Sequence, residues 1–589
     1  MKFLLVAVNA KYIHSNPGVY SLKKCADQVF PSACTEIAEY TINHSMDQVL
    51  EDLFLRRPDV VGFSCYIWNI KEIRKLVRDL HKVMPGTDIW LGGPEVSFDA
   101  PDILRKEPEV LGVMKGEGEM VFPRLLGCYR RLGASVRGLD GDKSREEEKT
   151  KKGRQEAFWQ ELKELPGIAF CTGQGDIWDL EPCPAADLSR LPFPYMDLGE
   201  FENRVVYYES SRGCPFSCSY CLSSIDKSVR FRDMALVLKE LDFFLEQKVP
   251  QVKFVDRTFN CKKSHAMAVW RHILEHDNGV TNFHFEVAAD LMDEEELELL
   301  GKMRPGQVQL EIGVQSTNMQ TIREIRRKTD LEKVRRVVAR IHAKNNIHQH
   351  LDLIAGLPYE DYESFRRSFN AVYGMEPQQL QLGFLKVLKG SYMHEMSGRY
   401  QLLYREEPPY EVLSTRWMPY ADIIRLKGIE TMVEAYYNSG QFPNTLRLLA
   451  FAYSDAFCLF EALAVFYKER KLNGRNHSRL ARYEILHDFI EMLTEKQGEP
   501  GKRTWRGISM EDWEDALVCD CYLRENCKSR PGFARDLAPF KEKFRLLVPG
   551  LRQLGSQIHI EALHCGEVWL FDYRKRDPLT GNAGTKRLE

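Results

Sequence analysis

Three cysteines stand together in "SSRGCPFSCSYCLSS", at Cys214, Cys218 and Cys221. Thiolates are soft metal ligands, and three in one short loop can share a metal centre. A structural zinc site takes four ligands, usually from two separated pairs, whereas one compact group supplies three here. Cys183 and Cys261 are the thiols available as a fourth ligand, though nothing in their spacing nominates either. A disulfide with a spare thiol is a second option. An iron–sulfur cluster is a third: four cysteines close a cubane, so three leave one iron open to a substrate or cofactor. Spacing alone leaves all three readings standing.

The chain has 589 residues, enough for about three or four domains. A hydrophobic content of 44% supports buried cores, and a net charge of −3 argues against a dedicated nucleic-acid binder. No apolar run approaches the ~18 residues of a membrane-spanning helix. The start, "MKFLLVAVNAKYIHSN", has an apolar stretch only from Phe3 to Val8 and no small-residue cleavage site, so it reads as a buried first strand. Fifteen scattered cysteines fit a reducing cytoplasm better than a disulfide framework.

The elements around the cysteine loop decide its setting. Over residues 1–135, "KFLLVAV", "TEIAEYTI", "VVGFSCY", "DIWLGG" and "VLGVMKGEGE" read as strands. "VYSLKKCADQVF", "MDQVLEDLFLR" and "IKEIRKLVRDLHKV" read as helices between them. That alternation predicts an α/β domain with a doubly wound, Rossmann-like parallel sheet. Its ligand crevice would lie beyond the carboxyl ends of the strands, at "NAKYIHSNPG", "SCYIWN", "GGPEVS" and "KGEGE". Residues 136–200 read as a connector: a solvated linker or loop in "VRGLDGDKSREEEKTKKGRQEA", then short strands and a Pro-rich approach.

Residues 201–400 alternate again. "VVYYESSRGC", "VKFVDRTFN", "FHFEVAADL", "VQLEIGVQS", "HQHLDLIAGLP" and "LQLGFLKVL" read as six strands separated by helices, a partial (β/α)6 barrel. Chemistry on barrels sits at the carboxyl ends of the strands, and the cysteine loop follows the first of them. Residues 401–589 read as a mostly helical α+β domain that ends in strands.

In this position "CPFSCSYC", a CxxxCxxC pattern, resembles the signature of the radical S-adenosylmethionine (radical SAM) family. The resemblance implies a 4Fe–4S cluster on Cys214, Cys218 and Cys221, with SAM chelating the open iron and yielding a deoxyadenosyl radical. It also implies SAM contacts. Tyr220 is the aromatic residue before the last cysteine. Asp256 lies in a segment similar to FxDDxF, with Arg257 where a second acid is common; a strand-end cap accounts for it equally. Glu286 lies in "FEVAADL", and Glu311 and Gln315 in "LEIGVQS"; salt bridges would account equally for the two glutamates. Gly356 in "DLIAGLPYED" would let the backbone approach the adenine, or serve only as a turn glycine.

The first domain resembles the cobalamin-binding domain of cobalamin-dependent radical SAM enzymes, carried by "VGFSCYIWN", "DIWLGGPEVS" and "VMKGEGE". That likeness implies that Ser64, Trp68 and Asn69 lie near the corrin edge. Gly92 and Gly93 would let the backbone approach the nucleotide tail, and Glu117 belongs to the same cofactor-binding set. The DxHxxG pattern of histidine-ligating cobalamin proteins is absent. "NAKYIHSNPG" offers His14 without the Asp, and Gly18 one position late, so His14 either contacts cobalamin or caps a helix with Ser15 and Asn16.

The carboxy-terminal part resembles a domain of unknown function attached to such proteins. Its Cys519, Cys521 and Cys527 leave a second cluster conceivable, but two of them are separated by one residue in a segment that looks helical, a geometry that suits neither zinc nor a cluster well. They read as structural cysteines. The whole resemblance implies a cytoplasmic, cobalamin-dependent radical SAM methyltransferase acting on an unreactive carbon. It implies an unidentified substrate and an external electron donor such as flavodoxin or ferredoxin. The lack of a long apolar run argues against a membrane partner, and the acidic net charge argues against a long nucleic acid while leaving a tRNA open. The rival readings are a radical rearrangement, cyclisation or sulfur insertion with a degenerate cobalamin domain, and a non-catalytic cobalamin or redox sensor. An intact cysteine triplet argues against the sensor, because sensing needs no open iron.

Overall fold

The computed structural model describes residues 1–589 apart from 31–34, 141–144, 174, 196, 454, 498–503, 528 and 550. It divides into two compact units. Unit 1 holds Met1–Phe285, Lys386–Arg399 and Leu403–Val412; unit 2 holds Glu286–Leu385, Tyr400–Leu402 and Leu413–Glu589.

Unit 1 begins with β1 (Phe3–Asn9), α1 (Pro17–Val29), β2 (Thr35–Thr41), α2 (Met46–Arg56) and β3 (Val60–Ser64). There follow α3 (Ile70–Val83), β4 (Asp88–Gly92), α4 (Ala100–Lys106), β5 (Gly112–Met114) and α5 (Phe122–Leu132). Every residue of β1 is buried, as expected of a parallel strand covered by helices on both faces. Asn16 caps α1 by accepting from the Val19 amide, with Pro17 in the first turn, where its missing N–H costs nothing.

The charged stretch departs from the linker expectation. Residues 141–144 lie outside the described residues, but α6 (Arg145–Lys163) follows them directly. Its Glu, Lys, Arg and Gln residues are good helix formers, and its second half buries Phe158 and Leu162. Then β6 (Ile168–Cys171) and β7 (Ile177–Asp179) extend the first sheet by two antiparallel strands. The resulting order is β2-β1-β3-β4-β5-β6-β7. The chain leaves β1 to opposite sides for β2 and β3, so the sheet has its switch point between β1 and β3, where such folds open a ligand crevice.

Unit 1 continues with β8 (Val206–Tyr208), β9 (Ser211–Arg212), β10 (Arg230–Phe231) and α7 (Met234–Glu246). Next come β11 (Gln251–Phe254), α8 (Lys263–Glu275) and β12 (Asn282–Val287), whose last two residues open unit 2. β11 pairs in parallel with β8 on one side and β12 on the other. The short antiparallel pair β9–β10 brackets the cysteine loop, with Arg212 opposite Arg230.

Unit 2 carries α9 (Glu294–Leu300), β13 (Val308–Gln315), α10 (Met319–Glu324), α11 (Leu331–His342), β14 (His348–Ala355), α12 (Tyr362–Tyr373) and β15 (Gln379–Phe384). The last three strands pair in parallel. Beyond them lie helices Tyr420–Met432, Pro443–Tyr453, Ala456–Glu469, Arg479–Gln497 and Met510–Arg524. An antiparallel sheet of Ile558–Ala562, Val568–Arg576 and Ala583–Arg587 completes the unit. The α/β class, the six barrel-type strands and the mostly helical end are as the sequence predicts. Among the described residues no single helix is long and apolar enough to cross a membrane.

Candidate functional site

The cysteine loop is held from beneath by Asp256, just past the end of β11. Its carboxylate is fully buried and accepts from the Ser210 amide at 3.0 Å, Ser210 Oγ at 2.7 Å and Ser211 Oγ at 2.5 Å. Burial pushes this carboxyl up to about 6, against the hydrogen bonds that favour its ionised form. Ser210 Oγ also lies 2.9 Å from His265 Nε2, and burial holds that imidazole down to about 4, neutral at pH 7. Gly213 follows with φ +99°; a Cβ there would lie 2.3 Å from the Ser228 carbonyl, so only glycine fits this entry to the loop.

Cys214 and Cys218 are buried and Cys221 is half-buried. Ser224 Oγ donates to the carbonyls of Cys218 at 2.9 Å and Cys221 at 2.6 Å. The Met393 amide donates to the Ser219 carbonyl at 2.8 Å, and the Cys214 amide to Asp226 O at 3.3 Å. These bonds fix the loop backbone. Cys261 lies close enough to feel the Cys214 thiol, and burial pushes its own thiol up to about 11. Cys183 packs instead beside Gly167, at the head of β6.

Two adjoining cavities open above this loop within unit 1. One, of about 520 Å³, lies at the switch point and is lined by Ser64, Gly92, Gly93 and Gly116, with Tyr207 and Arg212. A Cβ on Gly116 would meet no atom within 4 Å and would enter the cavity. The other, of about 610 Å³, is lined by His14, Trp68, Tyr207, Ser211, Gly213 and Arg257. Tyr207 and Arg212 border both. Residues of the first sheet and of the cysteine loop therefore face common space.

The expected cobalamin residues divide in the structure. Ser64, Gly92 and Gly93 line the first cavity, and His14 and Trp68 the second. His14 Nδ1 lies 2.6 Å from the Tyr207 hydroxyl, and burial, then Lys11 and Lys253, lower its pKa, so it is neutral near pH 7. Trp68 stacks on Tyr66 with ring centres 4.4 Å apart and donates to the Val8 carbonyl at 3.2 Å. Asn69 is fully buried. Its side chain donates to the Val8 and Ser64 carbonyls at 2.9 Å each and accepts from the Tyr66 amide at 2.8 Å. It shapes the loop and lines neither cavity. Gly93, at φ +110°, packs so closely that a Cβ would sit 2.5 Å from Cys65 O.

Glu117 lines both cavities as a member of an ion network. It pairs with Arg230, accepts from the Ala186 amide at 2.9 Å, and lies 3.2 Å from Arg212. Arg212 also reaches Glu119 and Glu209, at 2.7 Å each. These contacts, with Ser210, Ser211, Tyr207 and His265, were not found by sequence reasoning. Most join residues tens of positions apart, and no local pattern marks them.

Within unit 2, Gln315 ends β13 in the left-handed region at φ +70° while buried. This backbone is strained for a side chain of its kind. The β13–β14 register shifts between Gly313 and Gln315, and a Cβ on Gly313 would lie 2.3 Å from Gln315 Nε2. Glu311 stands opposite His350 in that register. Glu311, His350 and Asp352 bring their ligating atoms within 4.8 Å of one another. Gly356 turns at φ +85°. Tyr220, in the cysteine loop, and Glu286, at the end of β12, are each half-buried.

Residues 4–126 match the model of the B12 binding domain and residues 208–372 that of the radical SAM superfamily. The chain thus carries a B12 binding domain and a radical SAM domain. Residues 398–562 match a protein family of unknown function, DUF4080. Over 342 residues the chain is 27% identical to a 2-(S-pantetheinyl)-carbapenam-3-carboxylate methyltransferase of Streptantibioticus cattleyicolor, covering 52% of this chain and 44% of that protein. It is 26% identical over 337 residues to the cobalamin-dependent radical SAM methyltransferase TokK of Streptomyces tokunonensis, with the same coverage. The chain thus spans less than half the length of these relatives. The structure of the cobalamin-dependent SAM radical enzyme OxsB with aqua-cobalamin and SAM bound shares its fold, at TM-score 0.58 and 14% identity, over 88% of this chain and 78% of that one.

The two matched domains imply a 4Fe–4S cluster, SAM and cobalamin, and the residues present fit that set. Three cysteines on a pinned loop suit a cluster with one open iron. The glycine-lined cavity at the switch point suits a flat nucleotide tail, and the adjoining cavity suits a corrin.

Proposed function

We propose that this chain is a cobalamin-dependent radical SAM methyltransferase that modifies an unreactive carbon. The observation that carries the proposal is the pair of adjoining cavities, which residues of the first sheet and of the cysteine loop border together. When bound, the cluster with SAM supplies radical chemistry and cobalamin supplies a methyl carrier. Cys214, Cys218 and Cys221 hold the cluster. Asp256 positions their loop through Ser210 and Ser211. Ser64, Gly92, Gly93 and Gly116 seat the nucleotide tail, and His14, Trp68 and Tyr207 border the corrin. In unit 1, Tyr220 is the SAM contact that the family resemblance offers; in unit 2, Glu286, Glu311, Gln315 and Gly356 are its candidates, with Gly356 offering backbone and Gln315 an amide.

In this reading residues 1–135, extended by β6 and β7, serve cobalamin; residues 201–400 serve the radical step; residues 401–589 are accessory. Flavodoxin or ferredoxin supplies electrons, and the free thiols of the described cysteines suit a reducing cytoplasm.

The test is anaerobic incubation of the reconstituted chain with SAM and a strong reductant, followed by analysis of the SAM products. Methyl transfer leaves S-adenosylhomocysteine and reductive cleavage leaves 5′-deoxyadenosine. The methyltransferase proposal expects both. 5′-Deoxyadenosine alone would favour a rearrangement or cyclisation. Neither product would leave the sensor reading.

A further inference from the structure

The DUF4080 region contains a second thiol arrangement, unrelated to the cluster loop. Cys521 lies in the last turn of helix Met510–Arg524 and is fully buried; Cys527, beyond the helix end, is half-buried. Their sulfurs are 3.3 Å apart. The turn that joins them is fixed at several points. The Glu525 amide donates to the Cys521 carbonyl at 2.7 Å. The Tyr573 hydroxyl reaches the carbonyls of Tyr522 at 3.0 Å and Glu525 at 3.1 Å, and Asn526 Nδ2 donates to the Ser556 carbonyl at 2.8 Å.

Cys519 does not join this pair. Two positions along a helix turn a side chain by about 200°, onto the other face, and the cysteine charge felt by Cys519 is that of Cys565. Among the described residues these thiols join no metal-ligating group, while Cys521 and Cys527 form a two-thiol site. We propose that Cys521 and Cys527 form a redox-active dithiol whose substrate is a low-molecular-weight disulfide such as oxidised glutathione.

The two thiols have unlike roles. The S–H···S contact between them holds the Cys527 thiol below its ordinary range; the same contact, then burial, raises Cys521. Cys527, the more exposed sulfur, is the nucleophile. Its thiolate attacks one sulfur of the disulfide RSSR, forming a mixed disulfide and releasing RS⁻. Cys521 gives its proton to that leaving thiolate and attacks the Cys527 sulfur, which expels the second RS⁻; the proton lost by Cys527 completes the second RSH. Two protein thiols and RSSR become one protein disulfide and two RSH. The sulfurs close by ~1.3 Å to reach the ~2.05 Å bond. In a reducing compartment such a bond is transient.

The experiment treats the full-length chain anaerobically with oxidised glutathione and maps every cysteine by mass spectrometry over time. Exposed Cys565 serves as the internal rate standard. The proposal predicts loss of two hydrogens across Cys521 and Cys527, reversed by dithiothreitol, at least about tenfold faster than modification of Cys565. Cys521→Ser should stop at a glutathione adduct on Cys527, and Cys527→Ser should abolish reaction at both positions. The proposal is overturned if both thiols stay reduced while Cys565 is modified, or if Cys521→Ser leaves Cys527 unmodified.

Discussion

Asp256 accepts from both the amide and the hydroxyl of Ser210, at 3.0 and 2.7 Å, just ahead of Cys214, the first thiol of the cysteine loop. The acid in the "VKFVDRTFN" segment thus acts on the cysteine loop from beneath, through the residues that lead into it.

Asp256→Asn replaces one acceptor oxygen by an NH₂ that meets donors, at a cost of about 1–3 kcal/mol. Iron retention after desalting should fall while cobalt retention stays. Full iron retention would remove Asp256 from the support of the loop.

The same carboxyl gives a pH signature. Its folded-state value, about 6, lies above the ordinary 3.8. The protonated form is therefore favoured by folding, and this contribution is fully present below pH 3.8 and lost as pH rises through 6. For a fully buried group the loss amounts to about 2–3 kcal/mol. The stability deficit of Asp256→Asn in the apo chain should then be larger at pH 5 than at pH 7. Urea midpoints of both chains measure it, and an equal deficit at the two pH values would contradict the assignment.

Ser64 borders the first cavity and lies 3.0 Å from Asn16 Nδ2. Ser64→Leu fills space and removes that partner, at a cost of about 1 kcal/mol. Cobalamin retention should drop at least about tenfold, the equivalent of 1.4 kcal/mol in binding, with the iron count unchanged. Unchanged cobalt would place the cofactor elsewhere.

Gln315 holds a left-handed backbone at φ +70°. Gln315→Gly relieves strain of about 1 kcal/mol and should raise the thermal midpoint, yet weaken SAM binding in equilibrium dialysis. Gln315→Ala keeps the strain and should weaken SAM alone. A rise in midpoint with unchanged SAM affinity would make Gln315 purely structural.

Much of the fold was legible because buried parallel strands announce themselves as continuous apolar runs, as in "KFLLVAV" and "DIWLGG". The charged stretch before β6 misled because helix-forming polar residues carry little apolar periodicity; only Phe158 and Leu162 mark the buried side of α6. The cysteine triplet stood out in the sequence because its three thiols are local, within one short loop. The Arg212 network and the Tyr207–His14 bond were not, since each joins segments separated by 93 or more positions. Asn69 shows the converse: a polar residue in the right loop whose hydrogen bonds all go to backbone.

The central claim is that one chain holds a cluster and cobalamin at adjoining sites. Anaerobic reconstitution with iron, sulfide and hydroxocobalamin, then desalting and a metal count, tests it most directly. The account predicts that iron and cobalt are both retained, and that Cys218→Ala loses iron and SAM cleavage while keeping cobalt. Iron without cobalt, or cluster absorbance and SAM cleavage that survive Cys218→Ala, would contradict it.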